Sequence, residues 1–447
     1  MSPQPVDLLI SARWIIPVVP ENAIYRDCSL AITGSKIIGL CPKAEADHRY
    51  NPVQRVELDN HVLIPGLINC HGHLAMSLLR GYADDMPLES WLRDSIWPAE
   101  ERWVSEEFVR NGAELAMAEM LLSGTTCFSD MYFFPEQTAL VARQHGMRCQ
   151  LAFPILNAPS VWAREGDEYI SKGLALRDYH KGDDLISVIF GTHAPYTLDD
   201  RLFEVVATYA NELDSAIQVH LHETQAEVDA AVAQSGERPI ARLHRLGVLT
   251  PNTQCVHMTA LDDGDITLLA ASGAHVIHCP KSNLKLASGF CPVTRLQQAG
   301  VNVALGTDSA ASNNGLDLFG ELNTASLLAK GLSGDAAALD GHASLRMATL
   351  DGARALGMEA ITGSLEVGKA ADIVAVNLAG ISREPLYNPI SQLVYTAVGH
   401  LVSHVWVNGS AKVHEGQLLS FNEQELETKA RQWRDRITGQ QALGLRK

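Results

Sequence analysis

From Val62 onward one alternation repeats, and it limits the fold more than any other feature of this sequence. Short apolar runs, each ending in polar residues, are followed by stretches of helical periodicity. The runs are Val62 to Ile68, Thr125 to Phe128, Cys149 to Phe153, Ile186 to Phe190, Ala216 to Val219, Thr253 to Val256, His275 to Ile277 and Val301 to Leu305. Most successive runs are spaced as a βα unit requires, roughly 30 residues. Ser105 to Leu122 illustrates the intervening stretches. Val109, Ala113, Ala116 and Met120 share a face, acidic residues fill the first turn, and Gly124 follows the end. Eight strand–helix alternations predict an α/β fold, a closed parallel (β/α)8 TIM-like barrel. An open doubly wound sheet is the alternative. It requires a glycine-rich phosphate loop after its first strand, and this sequence has none.

A barrel uses roughly 250 residues, and the chain has 447. The remainder lies mostly in two flanks that read as strands. Val6 to Ile10, Ser29 to Ile32 and Lys36 to Leu40 precede the barrel, with Gly34-Ser35 as a turn between two of them. Ala371 to Val376 and His404 to Val407 follow it, with Asn408-Gly409 as a hairpin signal. The expected division is a small discontinuous β domain from residues 1–60 and 360–420, a barrel over 61–359, and a tail over 421–447. Glu423 to Thr438 in that tail reads as a charged surface helix.

Charge and cysteines narrow the function. The chain carries 35 basic and 52 acidic residues, a formal charge of -17. Such a surface repels phosphate backbones and anionic membranes, so neither nucleic acid nor membrane is an expected partner, and a small molecule is. The eight cysteines include no C-x-x-C pair, which speaks against a thiolate zinc finger or a redox dithiol. They read as buried thiols in a reducing compartment. The amino terminus lacks the pattern of a signal peptide and no apolar run reaches about 18 residues, so a cytoplasmic protein is expected.

In a barrel of this kind catalytic groups stand where strands end. Strand one ends in His71-Gly72-His73, strand four in His193-Ala194-Pro195, strand five in His220-Leu221-His222-Glu223, strand six in Val256-His257-Met258 and strand eight in Gly306-Thr307-Asp308-Ser309. Taken alone, H-x-H suits two surface histidines at a turn. Five strand ends bearing histidine or aspartate, with only 17 histidines in the chain, do not suit chance. His71, His73, His220 and Asp308 satisfy zinc, which takes imidazole and carboxylate and leaves one position open for water. Glu223 is placed to move a proton, and His257 to hydrogen-bond the attacked centre. His222, His275 and His278 read as structural. A second metal would need a bridging group, commonly a carboxylated lysine at the end of strand four. His193 stands there, so one metal is expected.

These motifs resemble the amidohydrolase superfamily. The resemblance opens at Ile64-Pro65-Gly66-Leu67-Ile68-Asn69-Cys70-His71-Gly72-His73. It continues through Gly191-Thr192-His193-Ala194-Pro195-Tyr196 and His220-Leu221-His222-Glu223-Thr224. It closes with Pro280-Lys281-Ser282-Asn283 and Gly306-Thr307-Asp308-Ser309. Gly363 to Asp372 looks like that superfamily's return into a small β-sandwich domain. Within the superfamily, the branch that deaminates methylthioadenosine and S-adenosylhomocysteine is the most similar. The resemblance implies the same four metal ligands, with Glu223, His257 and Asp308 catalytic. It implies Glu100 as the holder of ribose hydroxyls and His193 as a substrate-binding histidine. Spacing alone would leave Glu100 on the surface. It also implies a homo-oligomer, dimer or tetramer, and one Zn2+ per subunit, with Fe2+ or Mn2+ as alternatives.

The expected reaction is hydrolytic deamination of an adenine nucleoside, methylthioadenosine before S-adenosylhomocysteine or adenosine. A carboxylate tail calls for an arginine; Arg148 and Arg164 are the candidates, and both stand outside every matched motif. The rival enzymes are a triazine or heteroaryl hydrolase and a guanine- or cytosine-type deaminase of the same superfamily. A non-catalytic metal-binding protein is the rival from another class.

Overall fold

The computed structural model describes residues 2–439 apart from residue 397. Four strands open the chain: β1 (Gln4–Ile15), β2 (Tyr25–Thr33), β3 (Lys36–Pro42) and β4 (Tyr50–Pro65). Eight more follow: β5 (Leu67–Asn69), β6 (Thr125–Asp130), β7 (Arg148–Ile155), β8 (Ile186–Thr192), β9 (Ile217–Leu221), β10 (Thr253–His257), β11 (His275–His278) and β12 (Val303–Leu305). The last four are β13 (Ile373–Asn377), β14 (Val402–Val407), β15 (Ser410–His414) and β16 (Gln417–Leu418). Two sheets result, one ordered β16-β15-β14-β13-β4-β1-β2-β3 and the other running from β5 through β12 in sequence order.

The chain forms two compact units. The first comprises Met1–Asn69, Met120–Cys127 and Asp317–Ser420. Both flanks share its sheet because β13 lies antiparallel against β4, pairing Ile373 with Pro65 and Ala375 with Leu63. The apolar face buries Leu8, Ile10, Leu30, Leu63, Ile373 and Trp406 in one cluster. Asn408 and Gly409 both have positive φ, 51° and 77°, the left-handed pair that a two-residue hairpin turn needs between β14 and β15.

The second unit comprises Cys70–Glu119, Phe128–Leu316 and Phe421–Lys447. Its strands are parallel and in regular register, Ala152 opposite Ile189, Gln218 opposite Gln254 and Ile277 opposite Ala304. The ring of strands is drawn together where the Cys70 amide, just past β5, donates to the Leu305 carbonyl of β12 (2.9 Å). The eight strands β5 to β12 make the (β/α)8 barrel that the alternation predicts, and the other sheet is built from the flanks.

Two details differ from the sequence reading. Val62 to Ile68 reads as one barrel strand, but the chain changes sheet inside that run. Residues through Pro65 pair with β13, and only Leu67–Asn69 joins the barrel. Gly66 lies at the break. Its amide donates to the Asp372 carbonyl (2.9 Å), and a Cβ there would collide with the Thr126 side chain. Both segments are buried, so hydropathy runs through the break without a mark. The tail helix, Glu423–Ile437, is not only a surface feature. Trp433 is buried with its ring edge-on to Phe108 at 5.2 Å, Leu426 is buried with it, and Lys429 bonds Glu114 at 2.9 Å. Among the described residues no helix is long and apolar enough to cross a membrane.

Removing a buried aromatic costs about 3–5 kcal/mol. Trp433→Ala should therefore lower the guanidinium midpoint measurably at constant metal load. An unchanged midpoint would mean that the tail helix contributes nothing to the second unit.

Candidate metal centre and active site

Four side chains from separate strand ends meet at one point. His71 and His73 stand just beyond β5, His220 is in β9, and Asp308 follows β12. The Nε2 atoms of His71 and His73 lie 3.6 and 3.3 Å from Asp308 Oδ1, and His71 Nε2 lies 3.1 Å from His220 Nε2. The three rings are 4.7 to 5.3 Å apart.

The other nitrogen of each ring decides what these atoms are. His71 Nδ1 meets Gln218 Oε1 at 2.8 Å, His73 Nδ1 the Met131 carbonyl at 2.6 Å, and His220 Nδ1 the His193 carbonyl at 2.7 Å. All three partners accept, so each Nδ1 carries a proton; the Nε2 atoms of His71 and His220 present lone pairs, and that of His73 faces Asp308. The Gln218 amide is itself oriented, because its Nε2 donates to Cys70 O, Ser129 Oγ and Gln254 Oε1. His71 and His220 thus face each other with two lone pairs 3.1 Å apart. No hydrogen bond can relieve that contact; a cation can. Burial pushes His71 down to about 4, keeping the imidazole neutral as a ligand must be. Burial disfavours charge on His73 too, but Asp308 outweighs it and lifts that ring to about 9. The donor set, three neutral-capable imidazoles and one carboxylate, fits a zinc-type ion with an open position.

Asp308 is held rigidly. Oδ2 accepts from Ser282 Oγ (2.6 Å) and Ser312 Oγ (2.9 Å), and Oδ1 from the Ser309 amide (2.7 Å). Its φ is 60° and that of His257 is 76°, both in the left-handed region. Strain of this kind gathers where a strand end must aim a side chain.

Around the ligands lies a cavity of about 660 Å³ lined by His73, Glu100, His193, His220, Glu223, His257 and Asp308 together with apolar residues. Glu223 is buried. Burial and the nearby Asp308 charge push its carboxyl up to about 8, against a 3.3 Å hydrogen bond from Ser288. Its Oε2 stands 3.7 Å from His257 Nε2. His257 Nδ1 bonds Asn283 Oδ1 (2.8 Å), and burial keeps the ring neutral. Glu100, on helix Trp97–Trp103, also faces the cavity and accepts from Tyr132 Oη at 2.7 Å. His193 lines the wall with Nδ1 3.3 Å from Thr197 Oγ1. Seven of the eight residues singled out from the sequence therefore border one space, and His71, fully buried, stands behind it against His220 and Asp308.

Residues 62–412 match the amidohydrolase family. The chain belongs to the amidohydrolase family. It is 53% identical over 432 residues to the 5-methylthioadenosine/S-adenosylhomocysteine deaminase of Teredinibacter turnerae, covering 97% of this chain and 98% of that one. It is 51% identical over 440 residues to the protein of the same name from Saccharophagus degradans, covering 98% and 99%. Among solved structures, an adenosine deaminase from Xanthomonas campestris with bound zinc superposes with a TM-score of 0.97 at 47% identity, over 98% of this chain and 100% of that one. The atrazine chlorohydrolase of Arthrobacter aurescens, 23% identical with a TM-score of 0.88 over 95% and 99%, shares the fold.

Sequence reasoning missed several residues of this amidohydrolase's site. Gln218, Ser312, Ser288 and Tyr132 each hold a site residue by a side-chain hydrogen bond, as do Ser282 and Asn283, which the matched motif contains but to which the sequence reading gave no role. Gln218 left a readable signal. It lies two residues before His220 on the same strand, a polar side chain facing inward in an otherwise apolar run. Two other expectations concern structure only. His222 is structural, its Nδ1 on Ala260 O (3.0 Å) and its Nε2 accepting the Ile240 amide (3.1 Å). Arg148 is buried at the start of β7 and donates to Asp184 O, and Arg164 points to solvent and pairs with Glu168. Neither lines the cavity.

Loss of a partner that orients a ligand typically costs 10–100-fold in metal affinity. Gln218→Leu should show a loss of that order in competition with a chromophoric chelator. Affinity equal to the parent's would mean that the amide does not hold His71.

Proposed function

We propose that this amidohydrolase hydrolyses the exocyclic amine from an adenine nucleoside, with 5′-methylthioadenosine preferred, holding one zinc ion through His71, His73, His220 and Asp308. One observation carries the reading. A buried, protonated Glu223 and a Tyr132-oriented Glu100 face the same cavity as the ligand cluster. The first can donate a proton to a purine nitrogen, and the second can accept ribose hydroxyls.

When bound, the ion supplies a water whose pKa is lowered from 15.7 to about 7. The side chains do the rest. Glu223 donates its proton to the ring nitrogen beside the carbon that bears the amine. Asp308 takes the proton that the attacking water gives up. His257, fixed by Asn283, hydrogen-bonds at the attacked centre, and His193 borders the ring. Asp308 passes the water's proton to the amine, which leaves as ammonia as the C–N bond breaks, and Glu223 recovers its proton from the new hydroxyl as the carbonyl forms. Leu88, Trp91, Leu92, Ile96 and Trp97 line the cavity, which suits a methylthio group. No arginine or lysine is among its lining residues, so a carboxylate tail would meet Glu100 and Glu101 without a cation. That favours methylthioadenosine over S-adenosylhomocysteine. All eight cysteines are buried, in keeping with a cytoplasmic setting. A dimer or tetramer is carried over from the family resemblance.

Ammonia release by the zinc-loaded protein tests the reading, with methylthioadenosine, S-adenosylhomocysteine, adenosine and adenine side by side. Methylthioadenosine should turn over fastest and adenine least. No ammonia from any of them, with metal bound, would sink it and turn attention to a triazine-type substrate.

Glu223→Gln should keep its metal and lose about 10²–10⁴-fold in rate, the usual share of acid–base help. The proton must be on Glu223 at the start, and the group is held up to about 8. The parent's kcat/KM should therefore fall as pH rises through that value. A flat profile to pH 9 would reject Glu223 as the acid.

Glu100→Ala should cost about 10–100-fold in kcat/KM for the nucleoside, the worth of hydrogen bonds to a charged group. Its rate on free adenine should stay unchanged. Equal losses on both would remove Glu100 from ribose recognition.

A further inference from the structure

Glu227 is a carboxyl that the reaction above does not use, yet it holds the residue on which that reaction depends. It lies on the first turn of the helix Gln225–Ser235, outside the lining of the active-site cavity, and borders a neighbouring groove with Thr224 and Ser288. Its Oε2 accepts the backbone amide of Glu223 at 2.8 Å.

The local fold explains why that amide needs an acceptor. β9 ends at Leu221, and His222 follows with a φ of 51°, in the left-handed region. The chain turns off the strand there, so Glu223 comes after the last ladder pair, Leu221 with His257. Thr224 then caps the helix by accepting the Glu227 amide (3.1 Å). A glutamate at the third helical position commonly returns to the cap's own amide. This one reaches the residue before the cap, which is the acid. Three contacts thereby fix Glu223: its amide on Glu227, its carbonyl under the Thr259 hydroxyl (2.7 Å) and its carboxyl under the Ser288 hydroxyl (3.3 Å). The first two set the backbone from which the side chain enters the cavity.

Helix capping alone does not account for Glu227. Its Oε1 is buried and, among the described residues, has no hydrogen-bond partner. Burial pushes the carboxyl up to about 7. A half-paired buried carboxyl costs stability, and departures of that kind gather at functional sites.

We propose that Glu227 is a positioning residue for the deamination: by taking the Glu223 amide it aims the Glu223 carboxyl at the ring nitrogen. The proposal rests on the reading of Glu223 as the acid.

The test is a mutant cycle on the zinc-loaded, full-length protein, with the nucleoside that the parent turns over fastest. Glu227→Met fills the same space without an acceptor. It should lower kcat by about 10–100-fold, the scale on which misplacing a reacting group acts, with KM and zinc content close to the parent's. Glu227→Gln keeps an acceptor oxygen and should recover most of that loss. Added to Glu223→Gln, Glu227→Met should cost no further rate, because the acid it aims is gone; independent losses would multiply. Glu227→Ala takes the place of Glu227→Met in the cycle if the latter does not fold. Parental kcat in Glu227→Met would overturn the proposal, as would losses that multiply or a Glu227→Gln as slow as Glu227→Met. Full activity in Glu223→Gln would overturn the reading of Glu223 and this proposal with it. A slow Glu223→Gln beside a parental Glu227→Met would overturn this proposal alone.

Discussion

The barrel's chemistry depends on three hydrogen bonds that touch no substrate. Gln218 and the carbonyls of Met131 and His193 take the Nδ1 protons of His71, His73 and His220. Three Nε2 atoms are thereby forced toward one point beside a carboxylate, those of His71 and His220 with their lone pairs 3.1 Å from each other. Close-packed lone pairs in a dry site are unfavourable without a cation, so the apo geometry is itself a statement of affinity. The barrel supplies the rigidity. Gln218 is tied to Gln254, and Gln254 to Gln150, so buried amides on β7, β9 and β10 brace the imidazoles.

The same dry environment sets the carboxylates apart. Asp308 receives two hydroxyls and an amide and is held well below the usual carboxylate range, despite its burial. Among the described residues the Glu223 carboxyl accepts one long hydrogen bond, from Ser288, and burial keeps its proton on. Two acids in one cavity thus start in opposite protonation states. That is the arrangement an acid–base pair needs at neutral pH. The difference comes from their neighbours, since residue type alone would make them alike.

This contrast also explains what the sequence could disclose. His71, His73, His193, His220, His257 and Asp308 were legible because a barrel converts position at a strand end into nearness, whatever the separation along the chain. Glu223 was legible through His220. Glu100 was not, on spacing alone. It sits on a short helix far from any strand end, and Tyr132, which orients it, is 32 residues away. Serines 288 and 312 carry no pattern, because a hydroxyl serves equally well in a turn or a cap. Hydropathy also hides Gly66. The run on either side is buried, and only pairing reveals that β4 and β5 belong to different sheets. Trp433 was hidden for the opposite reason: a charged helix masks one buried aromatic face.

The change of sheet at Gly66 bears on how the chain is made. β4 is complete when Pro65 leaves the ribosome, but its partner β13 begins at Ile373. Roughly 300 residues, the whole barrel among them, must be synthesised in between. At about 5–20 residues per second this takes roughly 15–60 s. Throughout that interval the β4 edge that will receive β13 has its amides and carbonyls unpaired, next to the apolar stretch Val62 to Pro65. An open edge of that kind invites pairing with another nascent chain. The order of translation thus leaves this edge of β4 open until the barrel has been made.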